Sequence, residues 1–149
     1  MVGYMPGPAH RTQGYHHLVN YLIDGYNLAF WLAGDDDLAP QQMRELLMGR
    51  LVAARPKDAE SLHIYWDVRR PNPAIPANTY LDWCTMHNVP DADAAIIDAV
   101  YASDTPRRCM VVSRDREVTG RSRQLGAKVM SPKELLGGGQ GQRQRRRRR

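Results

Sequence analysis

The sequence predicts an α/β fold with a mostly parallel sheet that helices cover on both faces. Three observations support this class: short apolar runs of strand length, longer segments with helical periodicity between them, and turn or polar residues where the runs end. Strands that alternate with helices in this way form parallel sheets between two helical layers. The 149 residues, of which 42% are hydrophobic and 25% charged, suit one globular domain.

The chain divides into three parts by composition. Residues 1–17 combine glycine, proline and histidine without apolar periodicity, so we expect a flexible lead-in. Residues 18–136 carry the strand and helix patterns and form the predicted folded domain. Residues 137–149 contain only glycine, glutamine and arginine, which cannot build a core, so we expect a disordered tail.

The first half of the domain predicts two strands and one helix. A strand over residues 18–23 ends at an Asp-Gly turn, and a second strand over residues 62–66 ends at Asp67. Between them, the segment Pro40–Ala54 places its apolar residues on one face, and its proline suits a first helical turn. Three prolines then predict an irregular loop: Pro71, Pro73 and Pro76.

The second half continues the alternation of strands and helices. A short strand is predicted over residues 83–87, followed by a helix over residues 91–102. Four apolar residues of this helix are expected to face inward: Ile96, Ile97, Val100 and Tyr101. The remaining elements follow in order: a strand at Cys109–Val112, a helix over 116–125, a strand over 127–130 and a helical turn from Pro132.

The net charge of +5 comes from the tail. Six of the 21 basic residues lie there: Arg143, Arg145, Arg146, Arg147, Arg148 and Arg149. The other 15 basic residues nearly balance the 16 acidic ones. We expect the tail to be a nonspecific RNA arm, with a ribosomal RNA contact, a nuclear localisation signal or a charge run without a role as alternatives.

Several classes of protein are excluded by the sequence pattern. No apolar run reaches the roughly 20 residues that a membrane span needs, and no signal-peptide pattern is visible. Cys84 and Cys109 belong to no Cys-x-x-Cys pair, which excludes a zinc ribbon or a disulfide scaffold. We therefore expect two reduced thiols in a cytoplasmic protein.

Four acids are predicted to gather at one edge of the sheet. Asp24, Asp67 and Asp115 follow the ends of three strands, and Asp93 lies in the first turn of a helix that could open onto the same edge. Carboxylates gathered there repel one another unless a hard cation such as Mg²⁺ or Mn²⁺ neutralises them. The pattern therefore indicates metal-assisted phosphodiester hydrolysis.

Each acid also has a purely structural explanation. Asp24 could form an ordinary Asp-Gly turn, and Asp67 could pair with an arginine that follows it. Asp93, or its neighbour Asp91, could cap one helix, and Asp115 could cap another. Taken singly these explanations are the simpler ones, whereas the four acids together favour a site.

Five segments resemble a known nuclease family, in order and with suitable spacing. They are Tyr-Leu-Ile-Asp-Gly-Tyr-Asn-Leu at 21–28, Tyr-Trp-Asp at 65–67, Ala-Asp-Ala-Ala-Ile at 92–96, Val-Val-Ser-Arg-Asp-Arg at 111–116, and residues 125–136. Together they resemble the NYN domain of the PIN-like nuclease superfamily, with particular similarity to the YacP-like branch of bacterial ribonucleases. The Asp-Gly-Tyr-Asn motif is the most specific of these pieces.

The resemblance implies a PIN-like three-layer α/β/α sandwich and a metal-dependent endoribonuclease that hydrolyses RNA phosphodiester bonds. Its implied site residues are Asp24, Asp67, Asp93 and Asp115 as ligands of Mg²⁺ or Mn²⁺, Asn27 orienting Asp24 or a bound water, and Ser113 supporting the site. Some relatives have a second acid where this chain has Ala94, which argues against a full two-metal site. The resemblance also implies cleavage of messenger RNA on the ribosome.

Basic and aromatic residues near these acids are candidates for binding single-stranded RNA. Four arginines follow the strand-end acids: Arg69, Arg70, Arg114 and Arg116. They could grip phosphates, or they could simply neutralise the acids. Tyr26 and Trp31 could stack on an unpaired base, although Trp31 is better suited to core packing.

Two alternatives to metal-dependent cleavage remain at this point. Histidine-based cleavage would need two histidines on either side of the scissile phosphate, and the candidates by residue type are His16, His17, His63 and His87. A non-catalytic RNA- or protein-binding module on a PIN-like fold is the second alternative.

Overall fold

A computed structural model describes residues 18–68, 70 and 72–137 of the chain. The predictions for the lead-in, for Arg69 and Pro71, and for the six arginines of the tail lie outside the described residues.

The described residues form a six-stranded sheet with helices on both faces, which confirms the predicted α/β class and the three-layer α/β/α arrangement. Its strands are β1 (Val19–Asp24), β2 (Ala59–Asp67), β3 (Asn78–Tyr80), β4 (Thr85–Val89), β5 (Cys109–Val112) and β6 (Lys128–Met130). Their order is β3-β4-β2-β1-β5-β6, and all neighbours are parallel except β3 and β4.

In the part of the chain that the structure describes, five α-helices cover the sheet: α1 (Gly25–Ala33), α2 (Pro40–Ala54), α3 (Ala92–Ala102), α4 (Arg116–Gln124) and α5 (Pro132–Leu136). The first core, beneath α1, α2 and α5, contains Leu28, Leu47 and Trp66. The second core, beneath α3 and α4, contains Ile96 and Val118. All five of these side chains are almost completely buried. The three layers form because the helices bury their apolar faces against both faces of the sheet. Within the described residues no helix has the length and apolar character needed to cross a membrane.

The predicted turn at Asp24-Gly25 is wrong, because a helix begins there. Strand β1 ends at Asp24, and α1 begins at the next residue without an intervening loop. Leu28, Ala29 and Leu32 have no exposed surface, and their spacing of one and four residues gives α1 its buried face. The dipeptide therefore marks the change from strand to helix.

The edge of the sheet also differs from the prediction. The short strand expected over residues 83–87 lies instead at Thr85–Val89, and Asn78–Tyr80 pairs with it as an antiparallel strand that the sequence pattern did not predict. The side-chain amide of Asn88 donates a hydrogen bond of 2.9 Å to the carbonyl of Pro76, which ties the proline-rich loop to this edge. Tyr101, predicted to face inward, is 77% exposed near the end of α3.

The strand order places three strand ends side by side. Strand β1 lies between β2 and β5 and is parallel to both, so Asp24, Asp67 and the turn after Val112 share one rim. The chain crosses from one side of β1 to the other between β2 and β5, and ligands of α/β proteins bind at such a switch point.

Candidate active site

Asp24 is the most buried acid of the rim, with 4% of its surface exposed. It stands at the N-cap position of α1, but its side chain makes no capping hydrogen bond there. The hydroxyl of Ser113 instead donates a hydrogen bond of 3.0 Å to its Oδ2. The same hydroxyl accepts a hydrogen bond of 3.0 Å from the backbone N–H of Asp115, so Ser113 connects the ends of β1 and β5.

Asn27 connects the first turn of α1 to the turn after β5. Its Oδ1 accepts a hydrogen bond of 2.7 Å from the backbone N–H of Arg114. The predicted role of Asn27 in orienting Asp24 or a bound water stays a prediction. This amide fixes the turn that carries Ser113 and Asp115, and so positions the partners of Asp24.

Asp67 and Asp115 both hold the start of a helix. Oδ1 of Asp67 accepts a hydrogen bond of 2.7 Å from the backbone N–H of Ala92, at the start of α3. Oδ1 of Asp115 accepts hydrogen bonds of 2.9 and 3.3 Å from the backbone N–H groups of Glu117 and Val118, so it caps α4. The structural explanation considered for Asp115 is therefore correct, and both capping bonds are made by the same carboxylate oxygen.

Asp93 is not the cap of its helix. The capping carboxylate of α3 is that of Asp91, whose Oδ1 accepts a hydrogen bond of 3.1 Å from the backbone N–H of Ala94. Because Asp91 caps the helix, capping does not explain Asp93. The half-buried Asp93 lies beside the other rim acids.

The four acids interact electrostatically. Burial, followed by the negative charge of Asp93, raises the pKa of Asp24 to about 7, against the lowering effect of the Ser113 hydrogen bond; the charges of Asp67 and Asp115 raise it further. Burial and the charges of neighbouring acids, Asp115 foremost, also raise the pKa of Asp93. Like charges this close disfavour ionisation, so the rim attracts protons or cations.

The rim has the type of ligand atom that a hard cation prefers, but the side chains that the structure describes there are not close enough together to form a metal-binding group. Carboxylate oxygens are the ligands that Mg²⁺ and Mn²⁺ prefer. Among the described residues, however, no three acidic, histidine or cysteine side chains stand close enough together to hold a metal ion. The expected convergence of the four carboxylates on one space is therefore incomplete, and those of Asp67 and Asp115 each bond to the start of a helix.

Three of the predicted phosphate-binding arginines lie within the described residues, and all are exposed: Arg70, Arg114 and Arg116. Arg114 and Arg116 flank Asp115 in the chain, at the rim itself. Their exposure and their place in the chain beside Asp115 keep both arginines as candidates for charge-assisted binding of a phosphate.

The geometry of the histidines does not fit histidine-based cleavage. Nδ1 of His63 and Nε2 of His87 are 2.8 Å apart and share a hydrogen bond, and Nδ1 of His87 is 2.8 Å from Oδ1 of Asn78. No phosphate fits between two rings joined in this way. His63 is also four residues before Asp67 on β2, roughly 13 Å from the rim. His16 and His17 lie outside the described residues.

The sequence analysis missed Phe30 and Arg44. Both line a cavity of about 440 Å³ beside Asp67, together with Tyr26. Tyr26 and Phe30 are four residues apart on α1, so recognition of that helix would have placed them on one face. Trp31, the other aromatic candidate, is 6% exposed and packs in the first core.

Comparisons of the chain with protein-family models, with curated proteins and with solved structures found no match. What the chain does is therefore inferred from the side chains at this rim and from the motifs around them.

Proposed function

We propose that the chain is a divalent-cation-dependent endoribonuclease that hydrolyses phosphodiester bonds of single-stranded RNA at this rim. The observation that carries the proposal is Asp24, a carboxylate buried among other carboxylates at the end of the central strand. A buried acid surrounded by like charges reduces the stability of the folded state, which favours a functional explanation over a structural one.

The four acids are the residues that would hold Mg²⁺ or Mn²⁺: Asp24, Asp67, Asp93 and Asp115. A bound divalent ion lowers the pKa of a coordinated water and stabilises the leaving oxygen of a phosphodiester. The chain's own contribution is positioning: Ser113 holds Oδ2 of Asp24, and Asn27 holds the turn that carries Ser113. Ala94 removes the second acid seen in some similar sequences and favours one ion over two.

The resemblance to NYN domains supports the same function. The motif around Asp24 covers the end of β1 and the start of α1, and the motif around Asp115 covers the end of β5 and the start of α4. We place the activity in the cytoplasm, with the ribosome as a candidate partner. Cys84 and Cys109 are both buried and unpaired, in separate cores on opposite faces of the sheet, and reduced thiols are typical of that compartment.

A non-catalytic RNA- or protein-binding module is the second candidate. It is favoured by the incomplete approach of the carboxylates, since none of the described residues form a ready metal-binding group. If the chain is a nuclease, a divalent ion leads to cleavage of the RNA. If it is a binding module, the ion changes only the affinity of the chain for RNA.

We expect RNA cleavage to require Mn²⁺ or Mg²⁺ and to stop in EDTA. Water attack on phosphorus with departure of the 3′ oxygen leaves a 5′-phosphate, so no cyclic phosphate should form. Incubation of the full chain with single-stranded RNA, followed by mapping of both product ends, checks the cofactor and the internal position of the cuts. Cleavage that continues in EDTA with cyclic phosphate ends would contradict the proposal.

Removal of the tail after Leu136 should weaken RNA binding chiefly at low salt. Each phosphate neutralised on a single strand adds about 0.7 to the slope of log affinity against log salt, so six arginines add at most about 4. The slope should fall equally for RNAs of different sequence, since phosphate contacts do not read bases. An unchanged salt slope in the shortened chain would point to a localisation or partner role for the tail.

A further inference from the structure

A cavity adjoins the acid rim on the α1 and α2 side of the sheet. It has a volume of about 440 Å³ and lies between the start of α1, the first turns of α2 and the segment after β2. Six of its lining residues matter here: Tyr26, Phe30, Arg44, Asp67, Val68 and Ile75. The volume lies at the small end of the range for ligand sites, which suits one flat group rather than a folded segment.

One wall of the cavity contains a fixed planar cation. Nε of Arg44 donates a hydrogen bond of 2.9 Å to the hydroxyl of Tyr26. The centre of the guanidinium lies 5.0 Å from the ring of Trp66 and 5.6 Å from that of Tyr26. Because these contacts hold the guanidinium in place, its other N–H groups can donate to a ligand without a large loss of side-chain entropy.

Another part of the lining is apolar and exposed. Phe30 is 61% exposed, although most other residues of α1 are buried. Ile75, in the proline-rich loop, is 37% exposed. Large apolar side chains left open beside a cavity mark a surface that is covered by a ligand in use. An aromatic ring in this position offers a stacking face to a flat ligand.

The cavity and the acid rim share Asp67. Asp67 lines the cavity, and the negative charge of its carboxylate raises the pKa of Asp24. A ligand in the cavity therefore lies beside the acid rim, and a group attached to that ligand can reach the acids. A flat ring that stacks on an aromatic side chain, accepts hydrogen bonds from a guanidinium and is joined to a phosphate is a nucleotide.

We propose that this cavity binds one unpaired nucleobase of the RNA, next to the phosphate at the acid rim. The proposal rests on the proposed ribonuclease function and adds the subsite that selects single strands. Phe30 stacks on the base, and Arg44 donates to acceptors on the edge of the base. A paired base cannot enter, because both its edge and its faces are occupied in a duplex.

The first test measures binding of a short, fluorescently labelled single-stranded RNA to the full chain in EDTA, where cleavage does not interfere. Phe30→Ala should weaken binding about tenfold, the scale of one lost base–aromatic stack. Tyr101→Ala is the matched control: Tyr101 is 77% exposed on α3, on the other side of the sheet, and its loss should leave affinity unchanged. Phe30 is mostly exposed, so its replacement should not unfold the protein.

The second test uses RNAs in which one nucleotide lacks its base. At one position the missing base should weaken binding as much as Phe30→Ala, and the two changes together should cost no more than either alone. Equal affinity of the Phe30→Ala variant and the original chain, or full additivity at every position, would overturn the subsite. Duplex RNA that binds as tightly as single strands would overturn it as well.

The outcomes separate the subsite from the cleavage activity. RNA binding that depends on Phe30 without any cleavage in Mn²⁺ would keep the subsite and remove the nuclease. Cleavage that Phe30→Ala leaves unchanged, with affinity also unchanged, would keep the nuclease and remove the subsite.

Discussion

Asp24→Asn should reduce RNA cleavage by a factor of roughly 100 or more and, in the same protein, raise stability near neutral pH. Cleavage falls because the amide removes a negative charge from the proposed cation site. The fold should be kept, since an amide oxygen can still accept the 3.0 Å hydrogen bond from Ser113. Initial rates in Mn²⁺ and chemical denaturation in EDTA measure the two effects.

The stability change follows from the direction of the pKa shift. Burial and the neighbouring carboxylates raise the pKa of Asp24 to about 7, so the folded state holds a proton more tightly than the unfolded chain. Ionised Asp24 thus reduces the free energy of unfolding above pH 7, and this loss disappears as the pH falls toward 4. A shift of this size corresponds to at most about 4 kcal/mol at high pH.

The free energy of unfolding of Asp24→Asn, relative to that of the original chain, should therefore increase as the pH rises from about 4 to 8. Asp98→Asn is the matched control, because Asp98 is an exposed acid on α3. It should leave cleavage unchanged, because Asp98 is not one of the rim acids. A constant difference in stability between Asp24→Asn and the original chain at all pH values would show that Asp24 is not held at a raised pKa.

Gly25→Ala should destabilise the fold by about 3 kcal/mol or more, although alanine ordinarily favours a helix. A Cβ at this position would lie 2.6 Å from Cε3 of Trp66 and 2.8 Å from the backbone carbonyl oxygen of Tyr65. Trp66 is completely buried, so the ring has no space to move away. Because Asp24 precedes this glycine directly, the displaced helix start should also reduce cleavage.

Gly49→Ala provides the control for this substitution. Gly49 lies within α2, and a Cβ there would meet nothing within 4 Å. Alanine should stabilise the protein by roughly 0.5–1 kcal/mol, the usual gain inside a helix. Thermal unfolding of both variants measures the contrast, and equal effects of the two substitutions would contradict the close packing of α1 on β2.

The sequence alone was sufficient for much of the layering and for the strand-end acids. The strand at Cys109–Val112 and the helix at Pro40–Ala54 have the predicted bounds, because each has an apolar period and a clear end signal. Three acids follow strand ends, and parallel strands bring such ends together whatever lies between them. These features depend on local pattern and on a general rule of sheet geometry.

The tertiary structure alone decided which side chains share contacts. Helix α1 was missed because the Asp-Gly dipeptide at its start is typical of a turn, whereas packing against β2 and α2 stabilises a helix there. The same holds for the bonds of Asp67 to Ala92 and of Ser113 to Asp24, which join residues 25 and 89 positions apart. The cavity beside Asp67 likewise combines α1, α2 and the proline-rich loop. A local pattern shows which face of a single helix or strand is favourable to bury. These contacts instead depend on which elements the strand order places next to one another.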